Sequence, residues 1–445
     1  MQYPFFLVAV ASRMSPTNER PNLLVVLTDQ QFADALGCVT DHLETPNLDR
    51  LASEGVRFPD TYCANPLCTP SRAALVTGRF PHEVGVTDNG DGIEPSHREA
   101  ELGTLLSAAG YDCGYGGKWH VTSYDDQTEL DAHGFEQYCG FDDHDLADAC
   151  VEFIDRERDD PFLAVASFDN PHNICEWARN QHLPWGDVDR PPVEECPPLP
   201  RNFSRPAYEP AAIRPAMDAR RSTWGAMVDA DPDEWRQYRH AYYRLVEKVD
   251  EAVGRILEGL HSAGVADETV VIFTSDHGDM HGAHQMNQKG WLYEESVRVP
   301  LIVRAPDGDE DCIDDRLVSL LDLLPTVCDY ADVNSPESVR GRSLRPLVEG
   351  RQPEDWRDHL VVETGRPLDG RMVRTAGYKY AVYIRGRDRE QLFSMDGDRA
   401  ELVDLATSAD HREILDEHRR LLLDWGERTD DDLIPGRMLS EDALN

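Results

Sequence analysis

Lysine is almost missing from this chain of 445 residues: Lys118, Lys248, Lys289 and Lys379 are the whole complement. The rest of the basic side is arginine, and 44 basic residues face 84 acidic ones, giving a formal net charge of −40 and a pI near 4.6. Such a field repels polyanions and anionic bilayers, which excludes nucleic acid and membrane surfaces as partners. The acidity is dispersed rather than gathered into a tail, and with so little lysine it reads as the solvated surface of a halophile's protein. Also lacking is any paired cysteine spacing. Ten cysteines are scattered from Cys38 to Cys328 without the pattern of a zinc site or a disulfide framework, so reduced thiols are expected. No stretch is long and apolar enough to span a bilayer. Residues 5–11 resemble a short signal-peptide core, but no basic residue precedes them and Met14 offers an alternative start. Residues 1–20 are therefore read as an N-terminal extension and a cytoplasmic location is expected, with export left open. No internal repeat is apparent.

What is present begins with 40% hydrophobic residues, enough for a large core at this length. One stretch organises the rest: Cys68-Thr69-Pro70-Ser71-Arg72-Ala73-Ala74-Leu75-Val76-Thr77-Gly78-Arg79. Pro70 suits the first turn of a helix and Thr69 reads as its N-cap. Cys68 then sits at a helix mouth, where free backbone N–H groups attract an anion and Arg72, about one turn on, reaches the same spot. A cysteine taken alone is more often an ordinary buried residue. A Cys-based phosphatase loop needs five residues between its Cys and Arg, and three separate them here.

The stretch resembles the signature of the type I sulfatases, Cys-x-Pro-Ser-Arg followed by Thr-Gly, at every core position. In that family a dedicated enzyme oxidises the cysteine to formylglycine, so the resemblance implies that Cys68 is the precursor of the nucleophile and that a formylglycine-generating enzyme is a partner. The resemblance runs from Pro21 to about Glu427 and implies an α/β fold. Its parts are an alkaline-phosphatase-like core, with a mixed, mostly parallel sheet flanked by helices, and a small C-terminal α+β subdomain.

The pattern along the chain agrees. Residues 22–28 form an apolar, β-branched run ending at Asp29-Gln30, as a buried parallel strand does when it delivers polar groups at its carboxyl end. Residues 111–117, 162–168 and 269–274 read as further strands, delivering Lys118-Trp119-His120, Asn170-Pro171-His172 and Ser275-Asp276-His277. Helices are expected over 45–55, 102–109, 234–261, 317–330 and 411–425, and antiparallel strands over 371–393. Residues 183–233, rich in Pro, Asp and Arg, read as long loops over the site where substrate selection is lodged. A Pro/Gly/Arg stretch near 346–353 divides a catalytic domain, 21–350, from a C-terminal subdomain, 351–445.

The strand-end pairs Asp29-Gln30 and Asp276-His277 offer ligands for a hard divalent cation. A single strand-end Asp is more often a turn or cap residue. With Cys68 the pairs resemble the family's metal site, implying Asp29, Gln30, Cys68, Asp276 and His277 as ligands of calcium, with magnesium or manganese as alternatives. Gln30 and His277 depart from the commonest family pair and occur also in related phosphonate monoester hydrolases. Lys118, His120, His172 and Lys289 fall where the family's sulfate pocket lies, and with Arg72 would surround the charged oxygens of a sulfate ester. Asn89 in Asp88-Asn89-Gly90 is a further donor or simply a turn. The resemblance implies attack on sulfur by one hydroxyl of the hydrated aldehyde and release of sulfate on deprotonation of the second. Lys289 or His172 would serve the leaving oxygen and His120 would act as base. The expected substrate is a sulfated small molecule or carbohydrate, as O-sulfate or N-sulfate. Two rivals stand beside this: a phosphonate monoester or phosphodiester hydrolase on the same fold, and an inactive sulfate-binding protein with unmodified Cys68.

Overall fold

A computed structural model describes residues 20–121, 130–434 and 438–439; the apolar run at 5–11 and the alternative start at Met14 lie outside the described residues. In chain order the strands are β1 Asn22–Asp29, β2 Val56–Arg57, β3 Thr61–Tyr62, β4 Asp112–Gly117, β5 Glu136–Cys139, β6 Phe162–Pro171 and β7 Thr269–Ser275. They continue with β8 Leu301–Arg304, β9 Cys312–Ile313, β10 Val318–Ser319, β11 His359–Thr364, β12 Gly370–Thr375, β13 Tyr378–Tyr383 and β14 Glu390–Ser394. Eight of them form a sheet in the order β5-β4-β6-β1-β7-β8-β2-β9. The pairings from β5 through β7 are parallel, β8 is antiparallel to β7 and to β2, and β9 is parallel to β2. This is the mixed, mostly parallel sheet expected.

Alternation along β1 explains the layers. Leu23, Val25 and Leu27 point to one face, where they meet Ala73, Leu75 and Val76 of the Cys68–Thr77 helix and Leu323, Leu324 and Val327. Leu24 and Val26 point to the other, against Val249, Val253, Ile256 and Leu260 of the helix Pro232–Ser262. That long helix begins with Asp231 as N-cap, whose carboxylate accepts from the N–H of Asp233 and Glu234, while Glu234 reaches back to the Asp231 N–H. With Pro232 at its first position, the helix starts two residues before the apolar periodicity indicates.

The C-terminal sheet is antiparallel in the order β11-β12-β13-β14 and packs against the helix Arg412–Thr429 through Val373, Tyr380, Leu392, Leu415 and Leu422. Two expectations are corrected here. The antiparallel set begins at β11, twelve residues before the expected start at 371, because its burial comes from cross-strand pairing with β12 that no local alternation reveals. The expected helix over 317–330 opens instead as β10 and a 3-10 turn, Leu320–Asp322, and becomes α-helical only at Leu323–Tyr330. Ser319 and Asp322 form a capping box that fixes this start. Among the described residues no helix is long and apolar enough to cross a membrane.

Candidate active site

Four neighbouring parallel strands, β4, β6, β1 and β7, end side by side and deliver Lys118, Asp169, Asp29 and Asp276 in a row. Side chains at the carboxyl ends of such strands face one crevice. The Cys68–Thr77 helix points its first residue into it. Cys68 Sγ lies 3.0 Å from Lys289 Nζ, 3.3 Å from His277 Nε2 and 3.8 Å from Asp29 Oδ1.

Leu67, extended at φ −144° and ψ 140°, is the N-cap of this helix, so Cys68 is its first residue and Pro70 its third. Thr69 does not cap it. The Thr69 N–H is taken instead by Asn89 Oδ1 at 3.1 Å, a carboxamide brought from twenty residues away. Asn89 thus finishes the helix mouth from outside, and Gly78 closes the other end in the left-handed region at φ 63°.

Arg72 is buried and holds the floor together. Its Nε donates to Asp276 Oδ2 at 2.8 Å, Nη2 to Asp29 Oδ2 at 3.1 Å, and Nη1 to the Lys118 carbonyl at 2.6 Å and Ser167 Oγ at 2.8 Å. Lys118 Nζ bridges Asp29 Oδ2 and Asp169 Oδ1, both at 2.8 Å. Burial alone would raise the pKa of Asp29. For Asp29 that cost is outweighed by Lys118, Lys289, His172 and Arg72, which hold it well below the usual carboxylate range. Asp276, buried beside the Asp29 charge and relieved in part by His277 and Arg72, is pushed up to about 6. The Cys68 thiol is opposed by burial and Asp29, yet Lys289, Lys118 and His277 together bring it well below its ordinary value. The helix mouth therefore favours negative charge at residue 68.

Asp29, Cys68, Asp276 and His277 are fully buried and offer ligand atoms that all lie within 4.8 Å of one another. His277 Nδ1 lies 3.0 Å from the Gly278 carbonyl, and its Nε2 faces Cys68 and Asp29. Two carboxylates, an imidazole nitrogen and the side chain of residue 68 form a donor set that fits a divalent cation. Gln30 stands in a different network. Its backbone N–H donates to Asp276 Oδ1 at 3.1 Å, but its carboxamide turns away, donating to Asp279 Oδ2 at 2.7 Å and lying near Gln288 and Cys175.

His120 and His172 reach the same crevice. His120, at φ 54°, is hydrogen-bonded to Cys68, and burial reinforced by Lys118 and Arg72 lowers its pKa, so the ring is neutral. His172 Nδ1 lies 3.8 Å from Asp169 Oδ1. Three further residues act here without having been singled out. Asp169 lies two residues before the end of β6, a carboxylate near the strand end that the apolar run before it could have flagged. Asp143, buried and raised to about 7 by burial and Asp169, accepts the N–H groups of Asp169 and Asn170 at 2.8 Å each. Arg220 lies over Trp224 and Trp291 and donates to the Lys289 carbonyl at 3.0 Å, bracing the residue that meets Cys68.

Residues 21–333 match the Sulfatase family, and residues 282–427 match the C-terminal region of N-sulphoglucosamine sulphohydrolase. The chain is 31% identical to a Delta 4,5-hexuronate-2-O-sulfatase of Bacteroides thetaiotaomicron, over 98% of this chain and 94% of that protein. It is 28% identical to an N-acetylglucosamine-6-O-sulfatase of the same organism, over 94% and 89%. Among solved structures, a 2-O GAG sulfatase superposes with a TM-score of 0.82 at 29% identity, covering 95% of each chain. A phosphonate monoester hydrolase of Agrobacterium radiobacter shares the fold, with a TM-score of 0.76 at 22% identity over 92% of this chain and 96% of that one. The motif at Cys68, the charged floor beneath it and the family match over most of the chain lead to one conclusion: this protein belongs to the sulfatase family, on the alkaline-phosphatase-like fold, and is a sulfuric ester hydrolase.

Proposed function

We propose that the enzyme removes sulfate from a carbohydrate, using a formylglycine made from Cys68 and a divalent metal, with calcium as the first choice. The observation that carries this is the seat of residue 68. Its side chain lies at a helix mouth, 3.0 Å from Lys289 Nζ and 3.3 Å from His277 Nε2, among groups that favour an anion. The sulfur of Cys68 stands where the oxygens of the modified side chain would be.

Asp29, Asp276, His277 and residue 68 would hold the metal, with Gln30 fixing Asp276 through its backbone N–H. A bound ion there supplies positive charge to the sulfate oxygens and favours ionisation of a hydroxyl at residue 68. The chain's own groups do the rest. Lys118 and Arg72 brace Asp29 and orient it. Lys289 and His172 stand ready to hold or donate the proton of the departing ester oxygen. His120, kept neutral, accepts a proton from residue 68. Residues 21–350 form the catalytic domain in this reading and 351–445 the C-terminal subdomain. A formylglycine-generating enzyme is the partner needed, and the location is cytoplasmic. The carbohydrate substrate is supported by the two Bacteroides relatives, which act on hexuronate and N-acetylglucosamine sulfates by name.

Mass spectrometry of the peptide containing residue 68, from protein matured in its own host, tests the reading: a mass lower than that of the cysteine peptide by the change from thiol to aldehyde is expected. A free thiol in fully active enzyme would sink it. Because His277 and Gln30 also suit a phosphonate monoester or phosphodiester hydrolase, matched assays on sulfate, phosphonate and phosphodiester substrates belong beside it, with the sulfate expected to give the highest kcat/KM.

A further inference from the structure

A cavity of about 610 Å³ opens beside the crevice rather than within it; Cys68 is not in its lining. Asn65, Asp88, Thr364, Arg366, Asp369 and Arg385 are among the residues that line it. Two contacts tie it to the reacting centre. Thr364 Oγ1 donates to the Gly290 carbonyl at 3.2 Å, next to Lys289, and Asp88 precedes Asn89, whose carboxamide finishes the Cys68 helix. The outer wall is built by topology. In the order β11-β12-β13-β14 the connections 365–369 and 384–389 fall at the same end of the sheet, and the Ile384 N–H donates to the Asp369 carbonyl at 3.2 Å across them. Gly365 anchors this wall to the core: a Cβ there would stand 2.3 Å from the Thr87 carbonyl oxygen, so the two backbones touch.

Arg366 and Arg385 are exposed on these connections, and neither forms a hydrogen bond or ion pair with any described residue. Arg371, which also lines the cavity, is committed to Asp431 and to the Thr364 and Gly370 carbonyls. Of the carboxylates in the same lining, Asp91 accepts from the Thr87 N–H and Glu363 is paired with His82, whereas these two guanidiniums on one wall are without partners among the described residues. Asn65, buried at 1% exposure, adds an Oδ1 with no hydrogen-bond partner. A buried acceptor in that state costs free energy until a donor arrives.

Resting on the sulfatase reading, we propose that this cavity receives the sugar that carries the scissile sulfate, and that Arg366 and Arg385 bind a second anionic group, a carboxylate or a second sulfate, on that sugar or its neighbour. Guanidiniums suit both anions through paired N–H donors. Asn65 and the carboxylates of Asp88 and Asp369 accept from hydroxyls. The global charge gives this device its purpose. A doubly anionic ligand approaching a chain of net charge −40 is repelled at long range, and two guanidiniums within contact distance offset that repulsion at the mouth.

Equilibrium binding by calorimetry to the unmodified Cys68 protein tests this without requiring turnover, so its outcome is separable from whether formylglycine forms. The probes are two matched pairs: glucuronate 2-sulfate against glucose 2-sulfate, and glucosamine 2,6-disulfate against glucosamine 6-sulfate. In wild type the doubly charged member of at least one pair binds about tenfold more tightly, as expected of charge-assisted hydrogen bonds. The pair that shows the ratio identifies the anion. In Arg366→Gln and Arg385→Gln the ratio falls toward one, while both variants melt with wild type because the residues are exposed and unpaired. A ratio of one for both pairs in wild type, or a ratio preserved in both variants, overturns the proposal.

Discussion

The floor of the crevice and the wall of the neighbouring cavity use the same side-chain chemistry in opposite ways. Arg72 and Lys118 are buried, and each donates to partners on at least two elements. Arg366 and Arg385 are exposed and have no partner among the described residues. A buried cation stripped of its carboxylates costs several kcal/mol, roughly 3–5 for breaking one such pair, so the floor is over-determined and its geometry is fixed before any ligand arrives. An exposed, unpaired cation costs little to maintain and is released from water only when an anion meets it. Reaction machinery therefore sits where the sheet dictates position, and selection sits where two hairpin loops can differ without disturbing the sheet.

The strongest way to break this picture is at residue 68. In Cys68→Ser the size, the helix mouth and the surrounding cations persist, but serine brings one hydroxyl where a hydrated aldehyde has two. The variant is expected to fold and to bind metal, and to complete at most about one turnover per molecule. Hydrazide labelling should mark matured wild type and leave the variant unlabelled. Sustained multiple turnover by Cys68→Ser would move the nucleophile elsewhere.

Next in size is Asp276→Asn. The carboxamide oxygen can still accept from the Gln30 and His277 N–H groups, but one anionic ligand is lost and Arg72 Nε then faces an NH2 donor where Oδ2 accepted its bond. Metal content by elemental analysis and turnover should fall together, the latter by about a hundredfold or more, and chelation of wild type should reproduce the loss. Near-normal turnover with full metal occupancy would remove Asp276 from the site.

Asp143 is a subtler probe because it touches the floor only through backbone. Its pKa, raised to about 7 by burial and by Asp169, exceeds the unfolded carboxylate value of roughly 4. A raised acid contributes stability that is fully present below the unfolded value and is lost as pH rises through the folded one. Wild type should therefore lose part of its advantage over Asp143→Asn between about pH 4 and pH 7. Melting curves of both proteins across that range check it, and a constant difference would show that Asp143 does not titrate there. The variant also surrenders one of the two side-chain oxygens that accept the backbone N–H groups, so turnover should drop by about threefold to tenfold through a looser Asp169.

How much of this was legible in the chain follows from the same contrast. The floor announces itself because sheet physics leaves a local trace: an apolar run ending in Asp29, another ending in Ser275-Asp276-His277, and a helix start at Cys68 with Arg72 one turn on. Where the structure departs from expectation, the deciding contact is distant in sequence. Leu67 rather than Thr69 is the N-cap because the first-turn N–H of Thr69 is met by Asn89, which no local pattern around residue 68 reveals. Gln30 sits beside Asp29, yet at φ 72° its side chain swings to Asp279. Residues 183–233 look like selection loops. They contain helices at Ile213–Ala219 and Arg221–Trp224, and Arg220 between them braces Lys289. The cavity is lined instead from Asn65, the 87–91 loop and the C-terminal sheet. Arg366 and Arg385 stand nineteen positions apart on separate hairpins, and only the strand order makes them neighbours.

The smallest effect expected separates the two regions by salt. Lowering ionic strength from 1 M to 0.01 M lengthens the Debye distance from about 3 Å to about 30 Å, so the dispersed carboxylates of a chain with net charge −40 begin to repel one another across the whole surface. The folded state concentrates that charge more than the unfolded chain does, and the melting temperature should fall by several degrees on dialysis into millimolar buffer. The buried pairs of Arg72 and Lys118 with Asp29, Asp276 and Asp169 are sealed from mobile ions and should hold unchanged. The turnover number at saturating substrate, measured on protein that is still folded and supplied with metal, is therefore expected to stay within about twofold. A melting temperature indifferent to salt would mean that the acidic surface is not an adaptation to it. A turnover number that collapsed while the protein remained folded would mean that the floor is less sealed than the burial of Asp29, Arg72 and Asp276 requires.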